Sequence, residues 1–130
     1  MGLEFFICTC HTAGMKQTQK RPTPSQFNIL RQICNFIPGH EVAKIARETG
    51  VEDRSRGITP WSHVVSMLYG QLTHSIGLND LCDSLQLHSG PLSTIRAATA
   101  PSRNGLSHAN RERPAEMAER LFWEVLEHLR

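Results

Sequence analysis

Between Pro101 and Arg113 the chain reads Pro-Ser-Arg-Asn-Gly-Leu-Ser-His-Ala-Asn-Arg-Glu-Arg, and Arg103, Asn104, Ser107, His108, Asn110, Arg111 and Arg113 can all bond phosphates or base edges. Arginine bridges two acceptors of guanine and asparagine bridges adenine, so this mixture is what a helix lying in a major groove would present. Only Leu106 and Ala109 are obvious inward residues of this segment. A helix held by so narrow an apolar foothold leaves its other faces in solvent. A solvated surface helix without a ligand is the competing reading of the same pattern.

A second basic stretch lies near the start, where Lys16, Lys20, Arg21 and Arg31 follow one another with no acidic residue between them. It reads as a flexible arm on phosphates, with a solvated basic segment as the alternative. Bulk charge does not decide the matter, because 14 Lys+Arg against 12 Asp+Glu leave only +2. A nucleic-acid reading must rest on placement.

Other chemistry is poorly supported by spacing. Cys8-Thr9-Cys10-His11 crowds metal-binding types, yet no second pair with finger or ribbon spacing follows. Cys34 and His40 flank a helix break and have the types of a nucleophile and its base, but a buried thiol and a surface imidazole account for them more simply. His63, His74, His88, His108 and His128 are scattered, without the pairing three or four residues apart that builds a helical metal site. No nucleophile elbow, phosphate loop or dinucleotide fingerprint is present. The expectation is a chain with no catalytic residue, no metal and no cofactor. Trp61, Tyr69 and Trp123 sit at helical spacing beside aliphatic residues and read as core.

The elements that must hold these residues are helices. Apolar residues make up 39% of the chain, enough for one modest core. From Pro22 onward no stretch alternates at the period of two expected of strands. Ser25 can cap a first helix carrying Phe27, Leu30, Ile33 and Ile37, ended by Pro38-Gly39. Pro38 can then be the first residue of a second helix with Val42, Ile45 and Ala46 inward and Gly50 as its stop. After a polar connector through Asp53, Arg54 and Arg56, Thr59-Pro60-Trp61 opens a third helix with Trp61, Val64, Val65, Leu68 and Leu72 on one face. Leu78, Leu81, Cys82 and Leu85 mark a fourth, stopping at Ser89-Gly90-Pro91. A weaker fifth segment holds Leu92 and Ile95. Ser102 caps the sixth, and Pro114 opens the last, whose apolar stripe runs through Met117, Leu121, Phe122, Val125, Leu126 and Leu129. That stripe reaches Arg130 with no cap, which implies a chain cut short or a helix that packs on something not encoded here.

The order of these features resembles the N-terminal domain that precedes the catalytic domain in DDE-type insertion-sequence transposases of the type-four group. The resemblance runs from Phe27 to about Leu129. It is carried by Phe36-Ile37-Pro38, by Trp61 followed by Met67 and Gln71-Leu72, by Leu78-Asn79-Asp80-Leu81, and by Leu106-Ser107-His108-Ala109-Asn110-Arg111 with Arg113. The family usually has Ser-Leu-Arg-Asp-Ile where this chain has Gly77-Leu78-Asn79-Asp80-Leu81, and Leu92 to Ala100 replaces an aromatic and histidine-bearing stretch. Family members continue into an RNase-H-like domain whose two Asp and one Glu hold divalent metal, and nothing here supplies those carboxylates.

The sequence therefore predicts an all-α bundle of six to seven short helices with a helix-turn-helix-like C-terminal half, over residues 22–130. Residues 1–21 read as a disordered or misassigned N-terminal extension, with the true start at Met1 or at Met15. The resemblance implies binding of double-stranded transposon-end DNA without enzymatic activity, with Arg103, Asn104, Ser107, His108, Asn110, Arg111, Arg113, Lys16, Lys20 and Arg21 as contacts. The alternative is an interaction or oligomerisation bundle, with a second copy or a separate catalytic domain on the last helix. Few, irregular cysteines and the lack of a signal or membrane segment point to a bacterial cytoplasm.

Overall fold

Apolar residues three and four apart anchor the first helix. In the computed structural model, which describes residues 24–51 and 57–130, α1 (Pro24–Phe36) buries Phe27, Leu30 and Cys34, and Ile37 follows just beyond it. The expected Ile33 is only half-buried, because Cys34, one step on, completes the spacing of three, four and three. Residues 1–21, and with them Lys16, Lys20, Arg21 and the Cys8–His11 cluster, lie outside the described residues, as do Asp53, Arg54 and Arg56.

Pro38 is not the first helical residue of the next helix. Its φ of −64° and ψ of 120° are extended, so it stands at the N-cap of α2 (Gly39–Glu48). Val42, Ile45 and Ala46 are buried there as expected. The helix ends in a left-handed turn: Gly50 has φ +76°, its N–H donates to the Arg47 carbonyl, and the Val51 N–H donates to the Ala46 carbonyl at 2.7 Å. This pairing satisfies two carbonyls that a helix end leaves open.

Thr59 caps α3 (Pro60–Thr73) by accepting the Ser62 N–H, and Pro60 occupies the first helical position. The helix is the spine of the fold, packing on α1, on α2 and on α4 (Leu78–Leu87). Its burial differs from the expected single row. Val65 and Tyr69 are buried together with Ser62 and Ser66, whereas Trp61, Val64, Leu68 and Leu72 are half-buried. The reason is that α3 lies between two core clusters and gives part of its surface to each, with Trp61 and Leu68 touching both.

The fourth helix ends at Leu87, just ahead of Ser89-Gly90-Pro91. The chain turns at His88 directly into a single short helix, α5 (Ser89–Ser93), and then through Arg96 and Ala97, both left-handed at φ 49° and 57°. That turn is locked from three sides. The Trp61 Nε1–H donates to the Ile95 carbonyl at 3.0 Å, Arg96 Nη1 donates to the Ile37 carbonyl at 2.6 Å, and the Arg96 guanidinium lies 5.0 Å from the Trp61 ring centre.

Beyond it, α6 (Arg103–Glu112) packs on α4, and α7 (Ala115–His128) packs on α2. In the C-terminal half α4 and α6, which pack on each other, are joined by residues 88–102, whereas only Arg113 and Pro114 separate α6 from α7. Among the described residues there are seven helices and no strand. One core cluster joins α1, α3, α4, the 92–98 segment and α6; the other joins Ile37, α2, Val51 and α7.

Trp123 departs from its expected place in the core. It is 55% exposed and meets Phe122, itself 60% exposed, edge to face at 5.3 Å. Met117 and Leu121 face the bundle, and a residue two positions past Leu121 is turned about 200° away from it.

Candidate nucleic-acid interface

The local sequence fixes α6 at its start. The Ser102 hydroxyl accepts the Gly105 N–H at 3.0 Å, the bond that closes a helix N-terminus. Leu106 is fully buried and Ala109 nearly so, and they hold the helix against the bundle. Arg103, Asn104, Ser107, His108, Asn110 and Arg111 are all exposed. The polar ridge expected from the sequence therefore faces solvent.

Its side chains are not equally available. Arg103 lies across α4 and makes a two-pronged ion pair with Asp83, Nε to Oδ1 at 3.1 Å and Nη2 to Oδ2 at 2.6 Å. Arg111 pairs with Glu112 at 2.9 Å and touches His108 Nδ1 at 3.3 Å. The neighbouring guanidinium holds the Glu112 carboxyl below its ordinary pKa. Asn110 Oδ1 is 2.6 Å from His63 Nε2 on α3, so with that oxygen accepting, the imidazole proton sits on Nε2. Asn104 and Ser107 make no side-chain hydrogen bond among the described residues, and His108 makes only the Arg111 contact.

Arg113 is placed differently from the rest. It stands at the C-cap of α6 and turns back toward the start of α3, where its guanidinium donates to the Ile58 and Thr59 carbonyls. Partial burial lowers its pKa from the usual arginine value. An open groove of about 510 Å³ runs beside it, with Asn104, His108 and Glu112 among its lining residues.

A family model, a domain of unknown function (DUF4372), matches residues 25–95, more than half of the chain. The chain belongs to the DUF4372 family. No curated protein and no solved structure matches it. The DUF4372 segment covers α1 through α5 and ends at Ile95, in the turn that Trp61 holds. His63 and Asp83, which bind Asn110 and Arg103, are inside the matched segment, whereas α6 follows it. The DUF4372 portion thus forms the platform on which the polar helix rests.

Neither His63 nor Asp83 stands out in the sequence as part of this surface. They are 47 and 20 residues from their partners, and no local pattern connects them. The Cys34 and His40 pairing weighed from the sequence does not form a reactive couple. Cys34 is buried in the first core cluster, where burial pushes the thiol up to about 11 against a smaller opposing effect from Arg96, while His40 contacts Glu41 at 3.2 Å. Such a thiol stays protonated and unreactive at neutral pH. Among the described residues no three His, Cys, Asp or Glu side chains group to hold a metal ion, and no helix is long and apolar enough to cross a membrane.

Proposed function

We propose that this DUF4372 chain binds duplex DNA by inserting α6 into a groove, with Arg103 and Arg111 on phosphates and Asn104, Ser107, His108 and Asn110 toward base edges. The observation that carries the reading is the exposure of all six side chains on a helix held by only Leu106 and Ala109. The two ion pairs on this face do not oppose it. Arg103 with Asp83 and Arg111 with Glu112 are solvent-exposed on both sides, and exposed pairs contribute little, so a phosphate can displace the carboxylate. Arginine suits the exchange because its fork matches phosphate as well as carboxylate.

The resemblance of the chain to the N-terminal domain of insertion-sequence transposases supports the further step, that the DNA is the end of a mobile element. On that reading this domain binds in the bacterial cytoplasm and cutting falls to a catalytic domain of the DDE type. Lys16, Lys20 and Arg21 would add phosphate contacts ahead of α1.

Fluorescence anisotropy with labelled duplex across a salt series tests it. Affinity should fall with salt, and Arg103→Ala with Arg111→Ala together should reduce the log–log slope by about 2, since each phosphate a cation neutralises adds close to 0.9. Asn104→Ala should weaken discrimination between sequences while leaving that slope unchanged. Undetectable or salt-independent binding would overturn the reading.

A further inference from the structure

The two asparagines of α6 stand in different places on the helix. At 100° per residue, Asn104 lies about 170° from the midpoint between Leu106 and Ala109, whereas Asn110 lies about 70° from it, on the shoulder beside α3. Both are exposed, but their carboxamides differ in what they have left to offer. Asn110 turns its amide toward α3, where Oδ1 meets His63 Nε2 at 2.6 Å. Were that amide turned over, its nitrogen would be engaged in place of its oxygen, so one end is committed to the bundle in either orientation. Asn104 makes no side-chain hydrogen bond among the described residues, and both ends of its amide are free.

Adenine is the base that this difference selects. In the major groove it sets an acceptor, N7, beside a donor, the N6 amino group, and a carboxamide with both ends free matches the two at once. We propose that Asn104 reads an adenine of duplex DNA in this way, its Nδ2 donating to N7 and its Oδ1 accepting from the N6 amino group, while Asn110 is confined to a single contact. The proposal rests on the reading of α6 as a groove-binding helix and adds the base that it recognises. Position along the helix agrees. Asn104 is in the first turn, the part of a recognition helix that meets base edges, and Arg111 lies about 10 Å further along the axis, which leaves it to the phosphates.

The test uses an adenine that lacks one of the two groups. Selection of duplexes from a randomised pool gives the preferred site, and 7-deazaadenine is then placed at each adenine of either strand in turn. The analogue has no N7 acceptor and keeps Watson–Crick pairing, and anisotropy at fixed salt reads the affinity. At one position it should weaken binding roughly three- to thirtyfold for the unsubstituted chain and for Asn110→Ala, and should make no difference to Asn104→Ala. Asn104→Asp, which keeps the shape and loses the Nδ2 donor, should be equally indifferent. Should Asn110→Ala fold poorly, Asn110→Asp, whose carboxylate still accepts from His63, takes its place.

A loss that persists in Asn104→Ala, or one that disappears in the Asn110 variant, would overturn the proposal. So would salt-dependent binding with no position sensitive to the analogue, an outcome that leaves DNA binding by α6 standing. Absence of any salt-dependent binding would remove both together.

Discussion

His63 Nε2 and Asn110 Oδ1 are 2.6 Å apart, so the central helix α3 holds an outward-facing residue of α6 in one orientation. The contact joins the family platform to the helix beyond it. On the proposed reading, an asparagine fixed in this way has less side-chain freedom left to lose on entering a groove.

This contact makes stability depend on pH in a definite direction. Burial, the largest cause, and Arg113 lower the pKa of His63 below its ordinary 6.5, against an opposing effect from the Asn110 hydrogen bond. A depressed imidazole contributes its full stability above 6.5, where it is neutral in both folded and unfolded chains. Stability then falls as pH drops from 6.5 toward the lowered folded value, because the unfolded chain binds the proton first. The urea midpoint of the wild type should fall relative to that of His63→Gln, which does not titrate there, as pH drops from about 7.5 to about 5 if the imidazole is the group responsible. Parallel curves would remove His63 from the explanation.

If α6 binds duplex DNA as proposed, Asp83 should act as a brake, since it occupies the guanidinium of Arg103 that a phosphate would take. Asp83→Asn is expected to raise affinity for duplex roughly two- to tenfold at low salt, with little change in thermal midpoint. Lower affinity would show that the carboxylate positions Arg103 instead of competing for it.

Arg113 should behave as a structural residue more than as a phosphate contact. Its guanidinium satisfies the Ile58 and Thr59 carbonyls at the entry to α3, so Arg113→Ala should cost about 1–3 kcal/mol in denaturant unfolding, and Arg113→Lys should recover only part. A stable Arg113→Ala variant whose salt slope for DNA fell by about 1 would assign it to the phosphates.

The turn after α5 offers a gain. Ala97 has φ 57°, a region that costs an L-residue about 1–2 kcal/mol and glycine almost nothing. Ala97→Gly should raise stability by about 0.5–1 kcal/mol once the added freedom of the unfolded chain is subtracted. Arg96→Ala should lower stability, since it removes both the bond to the Ile37 carbonyl and the stacking on Trp61. Calorimetric midpoints of the two variants check these opposite signs.

The sequence by itself determined the helices, because what starts, stops and faces a helix is local. Thr59-Pro60 and Ser102 cap where their side chains reach an N–H three residues on, Gly50 stops α2 because it tolerates a positive φ, and spacing alone identified Val42, Ile45, Leu81, Leu85, Leu106 and Ala109 as buried. The exposure of the polar ridge followed from the same periodicity. Only the tertiary structure decided what the ridge touches. Asp83 on Arg103, His63 on Asn110 and Arg113 on the Ile58 carbonyl are contacts between elements, set by how α3, α4 and α6 cross, and no repeat along the chain encodes them. The same holds for Trp123. Its apolar character matched a core position, but α7 packs on α2 through the side that carries Met117 and Leu121, and Trp123, about 200° from Leu121 around the helix, is left exposed.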